Sequence, residues 1–109
     1  MAYNEQLARR MRLRMKAVRG AVEKNMFGGI GFLVNGNMAC GVNKQDLIVR
    51  LDDHDFEAAV KRPHVRVFNM TGRPMKGWIM VSSGGYASDA ALRGWIDKAI
   101  THARSLPPK

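Results

Sequence analysis

The sequence predicts an α+β domain: a mainly antiparallel five-stranded sheet with helices packed on one face, in the order α-β-β-β-α-β-β-α. Three observations predict it. Apolar residues recur at helical spacing near both ends of the chain. Between them, short stretches alternate apolar and polar residues, the pattern of strands with one buried face. Asn35-Gly36 joins two of these stretches, and a tight type I′ hairpin needs such a pair because both central residues take positive φ. Hairpins make the sheet antiparallel, and helices over one face complete a layered core.

Residues 4–19 read as the first helix. Asn4 is the N-cap, and Glu5 suits the positive end of the helix dipole. Leu7, Met11, Met15 and Val18 form one apolar stripe, and Gly20 is a natural stop. A short β segment, Val22 to Phe27, leads into Gly28-Gly29 and stands outside the five counted strands. The sets Ile30/Phe32/Val34, Met38/Cys40/Val42 and Leu47/Val49/Leu51 point to one buried face, with Gly41 and Arg50 on the other. Asp52-Asp53-His54-Asp55 opens a second helix, which runs to about Lys61 and is stopped by Pro63. Val65 to Met70 and Trp78 to Ser82 are the last two strands, joined by residues 71–77. Ser88 caps a final helix from Asp89 to Ser105, with Leu92, Trp95, Ile96, Ala99 and Ala103 on one face.

The 109 residues are one domain's worth of sequence, residues 1–109, ordered over about 3–105 with 106–109 as a tail. Pro107-Pro108 cannot continue a helix. The apolar fraction, 46%, and the charged fraction, 25%, are those of a globular protein, which excludes disorder and collagen. Cys40 is the one cysteine, so no intramolecular disulfide forms, and a reducing cytoplasmic interior is the simplest home. No apolar run reaches the eighteen or so residues of a membrane span, and the basic N-terminal stretch lacks the apolar core of a secretory signal. Membrane association is not expected.

The strongest chemical signal is charge: 18 Lys+Arg against 9 Asp+Glu, a formal net charge of +9. At about 100° per residue, Arg9, Arg12, Lys16 and Arg19 lie opposite the apolar stripe, within roughly 80° of one another. With Arg10 and Arg14 they concentrate positive charge in the first helix. Such a face attracts phosphates and releases counterions on binding them. An acidic protein partner or a solvated surface accounts for it equally in kind. No aromatic residue interleaves these charges, so a stacking platform for single strands is not supported. Arg66, Arg73 and Lys76 form a second basic set near one loop, with Arg73 and Lys76 as candidate helpers in anion contact.

Other motifs read as structure. Gly28-Gly29-Ile30-Gly31 lacks the spacing and the following helix of a phosphate loop, so a bulge or close backbone approach explains it. The acids at 52–57 read as helix capping, because no His or Cys cluster supports them as metal ligands. Cys40, on a core-facing set, reads as a small hydrophobe. No nucleophile, base or paired carboxylates stand out. No catalytic residue, cofactor, metal or small-molecule substrate is expected.

The stretch from Lys24 to Met38, with Phe27-Gly28-Gly29-Ile30-Gly31-Phe32 at its centre, resembles the signature of the N-terminal domain of the TfoX/Sxy competence regulators. So do Arg62-Pro63-His64-Val65 and Thr71-Gly72-Arg73-Pro74-Met75-Lys76-Gly77-Trp78, and the closing Leu106-Pro107-Pro108-Lys109 is similar to the ending of single-domain members. The resemblance implies an α+β fold of the secretion-chaperone-like kind and a bacterial cytoplasmic protein. Characterised members are positive regulators of DNA-uptake genes, working beside a cyclic-AMP receptor protein, and are not known as enzymes. They carry a second, C-terminal domain, which this chain is expected to lack. The expected function is a non-enzymatic regulatory module. The expected partners are a transcription-related protein or the DNA backbone, through Arg9, Arg12, Lys16, Arg19, Arg73 and Lys76. A protein-interaction domain or homodimer with no nucleic-acid role is the alternative.

Overall fold

The computed structural model describes residues 3–26, 28–68 and 76–109. Among them the elements are α1 (Glu5–Met15), β1 (Ala21–Met26), β2 (Gly29–Val34), β3 (Asn37–Asn43), β4 (Asp46–Arg50), α2 (Asp53–Ala59), β5 (Val65–Val67), β6 (Trp78–Val81) and α3 (Asp89–Ser105). The helices start where side chains satisfy their free N–H groups. The Leu7 N–H donates to Asn4 Oδ1 at 3.0 Å, the Asp55 N–H to Asp52 Oδ1 at 2.7 Å, and the Ala91 N–H to Ser88 Oγ at 3.1 Å. Asn35 (φ 54) and Gly36 (φ 84) turn the β2–β3 hairpin with the positive φ pair expected of them.

The strands form one antiparallel sheet in the order β1-β2-β3-β4-β6-β5. It has six strands, not the expected five. The segment left out of the count is a full edge strand, β1, paired with β2 from Ala21↔Val34 to Met26↔Gly29. Its sequence, Ala-Val-Glu-Lys-Asn-Met, shows little apolar alternation because most of it is exposed. Pairing with β2, rather than burial, makes it a strand. The order is therefore α-β-β-β-β-α-β-β-α.

All three helices contribute to one apolar core on one side of the sheet. Leu7, Met11 and Met15 of α1, Phe56 of α2 and Leu92, Trp95, Ile96 and Ala99 of α3 pack against Phe32, Val42, Val49 and Ile79.

Several boundaries and one register differ from the expectation. Helix α1 stops at Met15, not at residue 19. The Val18 N–H bonds to Met15 O and the Ala21 N–H to Val18 O, so the chain tightens into turns. Gly20 (φ 83) then accepts from the Asn35 N–H, which delivers the chain into β1. In β3 the alternation breaks. Phe32 pairs with Cys40 but Leu33 pairs with Met38, which leaves Ala39 as an extra, bulged residue. Met38 is thereby moved off the core face, and Asn37 takes the place opposite Val34. Asn37 is buried, and its Nδ2 donates to Pro107 O at 3.0 Å. Residues 106–109, expected as a tail, run beside this hairpin, where the Lys109 N–H donates to Asn35 O at 2.9 Å. The expected strand from Val65 to Met70 is β5 over Val65–Val67, and its last two positions lie outside the described residues, as does Phe27.

Of the glycines at 28–31, Gly29 and Gly31 belong to the sheet and Gly28 (φ 74) turns the chain into it. A Cβ on Gly29 would overlap Val42 O of the neighbouring strand, and one on Gly31 would meet the side chains of Met26 and Met38. Close backbone approach is the reason for Gly29, side-chain crowding for Gly31.

Candidate functional site

The basic residues of α1 divide into two groups. Arg10, Arg12 and Arg14 are committed to the fold. Arg10 Nη2 donates to Tyr86 O at 3.1 Å, Ala87 O at 3.2 Å and Asp89 Oδ1 at 3.1 Å, which ties α1 to the start of α3. Arg14 donates to Asp97 Oδ1 from Nε at 3.1 Å and Nη2 at 2.6 Å. Arg12 forms a two-pronged pair with Glu23 of β1, Nε to Oε1 at 2.8 Å and Nη2 to Oε2 at 2.9 Å. This hydrogen-bonded pair holds the Glu23 carboxyl below its ordinary pKa and raises the Arg12 guanidinium.

Arg9, Lys16 and Arg19 form the second group. All three are exposed and make no ion pair among the described residues. Arg9 lies on the outer side of α1, Lys16 is its C-cap and Arg19 lies in the turn beyond it. Arg104 of α3 joins them, with Nη2 donating to Arg19 O at 3.4 Å. Arg93 of α3 is exposed and likewise free of ion pairs among the described residues. The sequence reading missed Arg93 and Arg104 because α1 and α3 are adjacent only in the fold. Their eleven-residue spacing, three helical turns, was the signal that places both on one side of α3.

The second basic set does not join the first. Arg66 is paired with Asp46 at 2.6 Å. Arg73 lies outside the described residues. Lys76 is exposed, just before β6. Arg12 reaches across to β1, and β6 is four strands away in the sheet. At about 4.8 Å per strand, that separates the two sets by roughly 19 Å.

The remaining candidates have structural places. The backbone of Gly29-Ile30-Gly31 is paired with β1 on one side, and β3 takes up Ile30 and Gly31 on the other. Asp52 is spent as the α2 cap. Among the described residues no group of three His, Cys, Asp or Glu side chains could hold a metal ion. Cys40 is fully covered, and burial pushes its thiol up to about 12. No helix among the described residues is long and apolar enough to cross a membrane.

What this arrangement offers chemically is a helical layer whose outer side carries positive charge without an ion-pair partner among the described residues: Arg9, Lys16 and Arg19, with Arg93 and Arg104 beside them. Residues 14–103 match the family model described as the TfoX N-terminal domain. No curated protein matches the chain.

Proposed function

The chain belongs to the TfoX N-terminal domain family, and from that membership we propose that it is a competence-regulator-like binding module that acts on transcription inside a bacterial cell, with no catalysis of its own. The observation that supports this reading is the set of cations without an ion-pair partner among the described residues, Arg9, Lys16 and Arg19, joined by Arg104. In this reading they contact DNA phosphates and strengthen the hold of a regulator at a promoter. Phosphate contacts position a protein on a duplex without reading its sequence. The module therefore adds affinity, and its partner supplies the sequence choice.

The test is fluorescence anisotropy with duplex DNA across a salt series. The variant carries Arg9→Glu, Lys16→Glu and Arg19→Glu, and leaves Arg12 in its pair with Glu23. Wild type is expected to bind with a steep salt dependence. Each lost contact should flatten the log–log slope by about 0.9. A variant that binds as tightly as wild type overturns the DNA-contact reading.

The second reading is a protein-interaction module with no nucleic-acid role. It is favoured by one observation: Arg10, Arg12 and Arg14 are spent on internal ion pairs, so the charge left for phosphates is smaller than the first helix suggests.

A further inference from the structure

Leu13 is 73% exposed, in the middle of a helix whose other large apolar side chains are covered. A single exposed leucine needs no explanation. This one stands on the edge of an open groove of about 520 Å³ between α1 and α3. One wall of the groove is Arg10, Leu13, Arg14 and Ala17, at positions i, i+3, i+4 and i+7 of α1 and the turn after it. The other wall is Asp89, Leu92, Arg93 and Ile96, with the same spacing on α3. Contacts between the two segments ascend together, Arg10 with Asp89, Arg14 with Asp97 and Arg19 with Arg104. The two walls therefore run in the same direction, and two matched helical stripes face each other across a furrow.

We propose that this groove takes an acidic amphipathic helix of a protein partner. The proposal rests on the reading of the chain as a regulatory binding module and names its partner's chemistry. A helix laid in such a furrow anchors with apolar residues at i, i+3 or i+4 and i+7. Leu13 and Ala17 provide the exposed apolar surface for them, over a floor closed by the buried Leu92 and Ile96. The rim selects the charge of the incoming helix. Asp89 and Asp97 are already neutralised by Arg10 and Arg14, whose Nη1 groups donate to none of the described residues. Arg93 on one wall and Arg9 and Lys16 beside the other make no ion pair among the described residues. The rim is thus net positive and complements carboxylates. A phosphate backbone would satisfy that charge but would leave Leu13 uncovered. A second copy of the chain would cover Leu13 but would set these cations against their own kind.

The probe is a fluorescein-labelled helical peptide with Leu at i, i+3, i+4 and i+7 and Glu on its flanks. Its control has the same composition with the Leu positions scrambled. Both are titrated against wild type, Leu13→Gln and Arg93→Glu, at positions exposed enough for the fold to persist, which circular dichroism verifies. The patterned peptide should bind wild type, each substitution should weaken it about tenfold, and the scrambled peptide should not bind. Duplex-DNA affinity of Leu13→Gln should match wild type. Equal binding of the scrambled peptide, unchanged binding to the variants, or no binding overturns the proposal. So does a wild-type dimer that Leu13→Gln converts to monomer. If the peptide binds but DNA does not, only the DNA-contact reading falls. If DNA binds but the peptide does not, only the groove assignment falls.

Discussion

Cys40 sits in the middle of β3, with Phe32 opposite it on β2 and Val49 opposite it on β4, and is fully covered. Its thiol is pushed up from an ordinary 9.0 to about 12 because burial disfavours the thiolate. The unfolded chain therefore releases this proton near pH 9, while the folded chain holds it to about pH 12. Above pH 9 the folded state binds more protons than the unfolded state, so stability falls as pH rises, by up to about 1.4 kcal/mol per pH unit. Tyr86, raised chiefly by burial, acts in the same direction. Urea unfolding should show wild type losing on the order of 2 kcal/mol from Cys40 between pH 8 and pH 10.5. Cys40→Ala should lose correspondingly less over that interval, and identical alkaline losses in the two proteins would refute the assignment. The buried thiol was legible in the sequence because strand alternation is local. The fate of the arginines was not. Arg12 finds Glu23 eleven residues away, but Arg10 and Arg14 find Asp89 and Asp97 at separations of 79 and 83 residues. Helical spacing places these side chains on a face and says nothing of which distant carboxylate that face meets.

At the scale of the element, β2 carries two glycines that look equivalent in sequence and are not. A Cβ on Gly29 overlaps the backbone oxygen of Val42, and relieving that contact means pulling β2 from β3. A Cβ on Gly31 meets the ends of Met26 and Met38, unbranched side chains that can rotate away. Gly29→Ala should therefore cost roughly 2–3 kcal/mol, the range of overpacking in a closed site. Gly31→Ala should fall within about 1 kcal/mol of wild type, since stiffening the unfolded chain offsets part of the repacking. Chemical denaturation of the two variants decides this, and equal losses would sink the distinction. The same contrast explains which elements could be read in advance. Asn4, Ser88 and the Asn35-Gly36 turn act within three or four residues of themselves, so their chemistry marks the helix starts and the hairpin. The bulge at Ala39 depends on Asn37 finding Pro107, seventy residues on, and β1 depends on pairing with β2. Neither leaves a periodic trace in its own segment.

Considered as a whole, the molecule has two outer strands among the described residues, the three-residue β5 and the six-residue β1. A long exposed edge is a template for a second chain unless something blocks it. Ala21, Glu23 and Asn25 pair with core-facing residues of β2, so Val22, Lys24 and Met26 point to the other face. If two copies joined antiparallel through β1 about a two-fold axis, opposed residues would lie on the same face of the continuous sheet. A central pairing then sets Lys24 against Lys24, or Glu23 against Glu23, and like charges directly opposite are destabilising. Glu23 is moreover already held by Arg12 on the helical side. Lys24 is thus the residue expected to oppose pairing of this edge with a second copy, as edge lysines do elsewhere. Lys24→Val removes the repulsion and completes an apolar row with Val22, itself 53% exposed, and Met26. Sedimentation over a concentration series should show this variant associating more strongly than wild type. The added association should be abolished by a proline at position 23 or 25, which breaks edge pairing. Concentration-independent behaviour of Lys24→Val, matching wild type, would show that the β1 edge is closed by something other than its charge.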